Sequence, residues 1–142
     1  GLVYSVYSFS DSYSETGVFG IYAGLSAEGI NDYIAVVLNE LKKISSELVD
    51  DVELQRTKAQ FKAGMLSALE SSFSTAELIA RQALVYNRSI PTEETVAKIN
   101  RVTREDILRV AAAVFSGAIT YTILGNVGKY PSYKSLDERL RG

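Results

Sequence analysis

An α+β fold is what this sequence predicts: an antiparallel β-sheet, made of an N-terminal hairpin and a C-terminal strand, packed against a block of about five α-helices. Three observations lead there. Residues 1–25 and 118–124 alternate with a period of two and are rich in β-branched and aromatic residues. Residues 29–115 carry apolar positions at a helical period, punctuated by capping signals. The strands thus lie at the two ends of the sequence, with the helices between them. At 142 residues and 46% hydrophobic composition, the chain suffices for one domain, residues 1–142.

The opening stretch, GLVYSVYSFSDSYSETGVFGIYAGL, reads as two strands. Val3, Tyr7 and Phe9 alternate with Tyr4, Val6 and Ser8, as in a half-buried strand. Asp11–Thr16 (DSYSET) is small and polar and suits the turn of a hairpin. The period of two resumes from Val18 to Leu25. Gly17, Gly20 and Gly24 weaken this second strand but permit close approach of another backbone.

The helical block starts near Gly29. Ile30, Ile34, Val37, Leu38, Leu41, Ile44 and Leu48 form one apolar stripe and predict a helix to Leu48. Asp50 with Glu53 has the form of a capping box. In the helix it opens, Leu54, Phe61, Met65 and Leu69 share the core face, while Gln55, Arg56, Lys58 and Lys62 look outward. Gly64 inside this helix costs about 1 kcal/mol relative to Ala, which points to tight helix packing there. Ser74 with Glu77 is a second capping signature, leading into Leu78, Ile79, Leu84 and Val85 and fading near Asn87. Pro91 opens a short helix, where its missing N–H is harmless. Thr103 with Asp106 caps one more, carrying Ile107, Val110, Ala111 and Val114 and closed by Gly117. Residues 118–124 (AITYTIL) form the closing strand, paired with the hairpin. The tail, 125–142, is turn-rich with one helical turn at Leu136–Leu140. Three strands make a thin sheet with exposed edges, so further strands are expected from upstream sequence.

Composition excludes several function classes. No run of apolar residues is long enough to cross a membrane as a helix, and the residues from Gly1 onward do not read as a signal peptide, which leaves the natural N-terminus open. Fifteen basic residues against seventeen acidic ones give a net charge of −2. The cations are scattered, leaving no footprint for nucleic acid. Cysteine and histidine are both absent. The chain therefore lacks the commonest ligands of a catalytic zinc, the usual general base near neutral pH, and the usual partner of a serine nucleophile. Alone, it is not expected to be a complete enzyme.

Three segments carry a resemblance: GLVYSV at the start; ELQRTKAQFKAGMLSALE at Glu53–Glu70; and Arg81–Val110, with RQALVYNRSIPTEE and INRVTREDILRVA. With the closing AITYTILGNV they follow the order of the C-terminal domain of the pitrilysin–insulinase family of zinc peptidases. Within that family the chain most resembles mitochondrial processing peptidase and its bacterial relatives. The resemblance implies an inverted zincin, in which a His-x-x-Glu-His helix and a distant Glu hold zinc and the Glu of the motif activates water. None of these residues is in this chain. They would belong to an N-terminal zinc-bearing domain of the same protein, which is then the chain's first partner, beside a peptide substrate and a homo- or heterodimeric mate. The family's C-terminal domain contributes an Arg-x6-Tyr pair near the zinc, and Tyr4 matches its Tyr; the Arg would lie upstream of Gly1.

A phenolic O–H at Tyr4 is a neutral donor suited to a scissile carbonyl on which negative charge develops. The alternative is a strand tyrosine whose ring packs on the helices. Tyr7 has no family match and reads as packing. Arg81 and Arg88 flank a helix end and suit either a substrate carboxylate or surface ion pairs. Glu93 and Glu94 follow Pro91, where carboxylates favour the helix dipole. The expected function is the substrate-contacting C-terminal portion of a zinc metalloendopeptidase, inactive alone, in a bacterial cytoplasm or a mitochondrial matrix. The runner-up is a non-catalytic subunit of the same family, acting in substrate binding or assembly. A third reading is an independent small binding domain.

Overall fold

The computed structural model describes residues 1–141. Its fold is α+β: a two-stranded antiparallel sheet, a 3₁₀ turn and six α-helices. The chain folds into two compact units, one formed by Gly1–Glu47 with the sequence from Leu108 onward, the other by Leu48–Ile107.

In the first unit, β1 (Ser5–Ser12) and β2 (Gly17–Gly24) form the hairpin read from the sequence. The ladder takes in Asp11 and Ser12, opposite Val18 and Gly17, so the turn is tighter than DSYSET; Tyr13 N–H donates to Thr16 O (2.8 Å). Tyr7 pairs with Tyr22 and Phe9 with Gly20 on one face, Ser8 with Ile21 and Ser10 with Phe19 on the other. Gly20 makes room for Phe9, whose ring crosses the partner strand and would have to shift if a Cβ were added there. Phe19 meets Phe115 edge-on, ring centroids 5.4 Å apart. The strand is nonetheless not half-buried as expected, since every residue of β1 is exposed. A two-stranded ribbon has too little neighbouring structure to cover either face.

After the 3₁₀ turn at Ala27–Gly29 comes α1 (Ile30–Ser46), ending one turn-fraction before Leu48. Ile30, Ile34 and Leu38 are its buried residues. They meet Leu136 and Leu140 of α6 (Tyr133–Arg141), and these five form the core of the unit. Residues 133–141 are therefore a nine-residue helix rather than a turn-rich tail with one helical turn. So short a helix is marginal on propensity and exists because its apolar pair packs. Ser132 opens it, its hydroxyl accepting from Ser135 N–H (3.2 Å).

The closing strand is corrected. Among the described residues, 118–124 belong to no sheet and the hairpin has no third strand. Ile119, Tyr121 and Ile123 still pack on the α1–α6 core, while Thr120, Thr122 and Leu124 are exposed. The period of two is thus real, but it reports side-chain placement; a strand also needs a hydrogen-bonding neighbour, which periodicity cannot supply. Gly117 does not close α5 (Arg104–Phe115) by a left-handed turn, because Gly125 is the glycine with positive φ among the described residues. Arg141 does so instead, donating from its two Nη atoms to Ser116 O (3.0 Å) and Gly117 O (3.1 Å).

The second unit contains α2 (Asp51–Ala68), α3 (Ser72–Tyr86) and α4 (Thr92–Arg101). Asp50 caps α2 as expected, its Oδ1 accepting from Val52 N–H (2.7 Å) and Glu53 N–H (3.4 Å). The cap of α3 is Ser71 rather than Ser74, and Asn87 ends that helix in the left-handed region, φ 53°. Thr103 and Asp106 exchange bonds: Asp106 N–H donates to Thr103 Oγ1 and Thr103 N–H to Asp106 Oδ2, both 3.1 Å.

The faces of α2 differ from the sequence reading. Leu54 is buried, but Phe61 is 64% exposed. Lys58, expected outside, is buried, and its Nζ donates to Asn100 O (3.0 Å) and Val102 O (2.5 Å) at the end of α4. A lysine can do this because its long stem is apolar while the ammonium satisfies carbonyls that a helix C-terminus leaves free. Gly64 is not at a tight crossing, since an added Cβ would meet nothing within 4 Å. Its cost is therefore uncompensated by packing. The α3 residues Leu78, Ile79, Leu84 and Val85 are all exposed.

The loop between α3 and α4 is tied by charge. Arg88 grips Glu94 through two bonds, Nη1 to Oε2 at 2.8 Å and Nη2 to Oε1 at 2.7 Å, and Lys98 reaches the same carboxylate at 2.9 Å. Hydrogen bonds from Arg88 first, then from Lys98, hold the Glu94 carboxyl down from 4.5 to about 2. A lowered folded-state value means that this contribution to stability is fully present above the ordinary carboxylate range and is lost as pH falls from there through the lowered value.

Three measurements check these readings. Gly64→Ala should raise stability by about 1 kcal/mol in chemical denaturation, whereas a crowded site would give a loss. Lys58→Met keeps the stem but strands two carbonyls, and should cost about 2 kcal/mol. For Glu94→Gln, the deficit in melting temperature relative to the parent chain should shrink as pH falls from about 4.5 to 2.

Candidate functional site

Tyr4 stands immediately before β1, where the chain enters the hairpin. Its N–H donates to Gly24 O (2.7 Å), one step out of the ladder's register, in which Ser5 faces Gly24. The main chain of Tyr4 is therefore anchored to the end of β2 although it lies outside the regular ladder. Its side chain is 82% exposed. A strand tyrosine buried against helices would be largely covered, so the packing alternative does not describe Tyr4 within the described residues. What the geometry provides is a phenol on a hydrogen-bonded backbone, with its hydroxyl open to another molecule or another part of a larger one.

Tyr7 differs. Its ring stacks on that of Tyr22 directly across the ladder, centroids 5.1 Å apart, with Phe9 at 6.3 Å. Cross-strand aromatic pairs of this kind stabilise a hairpin by a few tenths to about 1 kcal/mol. Tyr7 is thus a hairpin-packing residue, and Tyr22 is the partner that sequence reasoning did not single out. The pairing register, which places Tyr7 opposite Tyr22, is what identifies it.

The charged candidates belong to the Leu48–Ile107 unit, and Tyr4 belongs to the other. Arg88 and Glu94 are bound to each other, which fixes both in a structural tie. Arg81 faces Glu77 at 3.9 Å with both side chains mostly exposed, a pair of little energetic weight. It sits at the rim of a shallow groove lined by Met65, Leu69 and Leu78. Met65 therefore lines a partly open groove rather than a sealed core. Glu93 lies in the first turn of α4, where its charge complements the helix dipole.

The described residues form no metal-binding group. The sequence has no histidine or cysteine, and no cluster of three or more acidic residues forms among the described ones. The chain thus lacks the imidazole and thiolate donors that most zinc sites use. No helix among the described residues is long and apolar enough to cross a membrane.

Comparison with known proteins places the chain. A family model described as the peptidase M16 inactive domain matches residues 1–61. A probable mitochondrial-processing peptidase subunit alpha-2, chloroplastic/mitochondrial, from Arabidopsis thaliana is 32% identical over 94% of this chain and 27% of its own length. The human cytochrome b-c1 complex subunit 2, mitochondrial, is 33% identical over 90% of this chain and 28% of its own length. Among solved structures, a chain of complex III2 from Candida albicans, Inz-5 bound, superposes with a TM-score of 0.71 at 26% identity, covering 79% of this chain and 27% of that one. The chain thus spans under a third of the length of the proteins it matches. Matched along nearly its whole length by such relatives, and over its first strands and helices by the family's own model, this chain belongs to the peptidase M16 family, in the part described as its inactive domain.

Proposed function

We propose that the chain is the C-terminal, substrate-contacting portion of a zinc metalloendopeptidase that cleaves peptides or presequences, with Tyr4 as its contribution to the reaction. The observation that carries this reading is the placement of Tyr4: backbone tied to Gly24, phenol 82% exposed, in a chain of the peptidase M16 family. Zinc would be held by another part of the same protein, because the donors are not here. The phenolic O–H donates to the scissile carbonyl oxygen and strengthens that bond as negative charge builds there, which lowers the barrier more than it aids ground-state binding. Residues 1–142 would belong to one C-terminal family domain. The mitochondrial-processing peptidase named among the relatives supports presequences as the substrate class and a mitochondrial matrix location.

A second reading has its own support. The similarity to a cytochrome b-c1 complex subunit and to a chain of a complex III structure favours a subunit that shapes substrate binding or assembly beside an active partner. The two readings separate on zinc. The full-length protein from its native source should be several times heavier than this chain and carry one zinc per molecule if it is the peptidase; a long chain without zinc would make it the non-catalytic subunit. A native chain of this size alone would defeat both.

In the full-length enzyme, Tyr4→Phe should lower kcat by about 100-fold, corresponding to about 3 kcal/mol, with zinc content and melting temperature unchanged. An unchanged kcat would sink the role assigned to Tyr4.

A further inference from the structure

Tyr4 is held by more than its bond to Gly24. The carbonyl oxygen of Leu2 lies against Gly29, 3.4 Å from where a Cβ would stand, with Leu25 Cδ1 at 3.6 Å and Ser26 Oγ at 3.7 Å around the same point. Leu2 C=O and Tyr4 N–H belong to the two successive peptide groups that flank Val3. Both groups are thus seated on one corner of the chain, residues 24–29, which leads from β2 through the 3₁₀ turn into α1. The corner is itself fixed. Leu25 packs on the α1–α6 core, Ile30 is part of that core, and Gly29 N–H donates to Ser26 O (3.1 Å). Because a peptide group is planar, seating both of them sets where the Cα of Tyr4 stands. We infer that Gly29 is a positioning residue for Tyr4, seating the Leu2 carbonyl and through it the phenol at a fixed place relative to the core.

Space, not conformation, gives Gly29 this role. Its φ of −82° is open to any residue, so a side chain there brings no backbone strain. A single methyl would meet its three neighbours at ordinary contact distance. Valine must place two more carbons on that Cβ, among a backbone carbonyl, a leucine methyl and a hydroxyl. The leucine and serine side chains can turn aside, but a carbonyl moves only with its chain. Valine therefore displaces Leu2 and carries Tyr4 with it. Gly24 differs: a Cβ there would meet Ser5 Oγ at 3.1 Å, and a hydroxyl rotates away. The inference rests on the role proposed for Tyr4, since Gly29 acts only through that residue.

Two measurements on the full-length protein test it. Tyr4 N–H, protected by its bond to Gly24 O, should exchange with solvent about 10-fold faster in Gly29→Val, and within about twofold of the parent rate in Gly29→Ala. Unchanged exchange in Gly29→Val overturns the inference, and this readout needs no turnover. In the active enzyme, Gly29→Val should lower kcat about 10-fold at constant KM, as expected when a donor that acts in the transition state is misplaced. The conservative Gly29→Ala should recover kcat to within about twofold of the parent. In a Tyr4→Phe background, Gly29→Val should lower kcat by less than about twofold, because the group it positions is already gone. A merely structural role would lower kcat equally in both backgrounds, and that result overturns the inference. Tyr4→Phe with unchanged kcat sinks the reading of Tyr4 and the inference with it; an impaired Tyr4→Phe beside a Gly29→Val of parental kcat sinks the inference alone.

Discussion

The first unit depends on one apolar contact, the seam between Ile30, Ile34 and Leu38 of α1 and Leu136 and Leu140 of α6. The spacings of four along α1 and along α6 put each set on a single stripe. Burying an aliphatic side chain of this size contributes about 1.5–3 kcal/mol, which makes this cluster the largest apolar term in the unit. Other features lean on it. Leu25 at the end of β2, the segment with Ile119, Tyr121 and Ile123, and Val127 all pack against these five residues. Arg141, carried on the same α6 that supplies Leu136 and Leu140, is thereby placed to bind the last carbonyls of α5. A helix of nine residues can be this consequential because its stability is tertiary rather than local.

The Leu48–Ile107 unit is held differently. Among the described residues its buried side chains are Leu54, Lys58 and Gln82, and two of these three are polar. Each is satisfied by backbone. Lys58 binds Asn100 O and Val102 O; Gln82 Oε1 accepts from Ile90 N–H at 2.8 Å; Arg104 Nε donates to Val49 O. These contacts sit at helix ends and loops, where the main chain has free donors and acceptors. With the Arg88–Glu94–Lys98 tie and the Asp50 cap, the unit's specificity lies in polar contacts between helix termini. Its apolar side chains, Phe61, Phe73, Leu84 and Val85 among them, are left largely uncovered.

The site we propose is an exposed one. Tyr4 and the hairpin carry exposed aromatics on a backbone that is nevertheless well hydrogen-bonded. A donor that must meet a substrate cannot also be buried among core side chains, and its main-chain bond to Gly24 limits its freedom without covering its hydroxyl. The residues with the strongest mutual electrostatics, Arg88 and Glu94, satisfy one another and so offer nothing to a ligand. Exposure and charge thus point to different residues here, and the proposed role of Tyr4 rests on exposure.

The sequence by itself determined the α+β class, the hairpin, and the starts of α1, α2, α4 and α5, because periodicity and capping are local. Asp50, Thr103 with Asp106, and Asn87 act as their residue types require, through bonds spanning a few positions. The candidate site was legible through Tyr4's match to a family motif; its exposure was not, since a period of two says which residues share a face but not whether anything covers that face. Tertiary structure alone decided the rest. It turned Lys58 inward, because the carbonyls at the end of α4 come to it from more than forty residues away. It left Gly64 in open space, made α6 a core helix rather than a tail, and gave AITYTIL its packing without a pairing neighbour. Each of these depends on which distant groups meet, and that is information no local window of sequence contains.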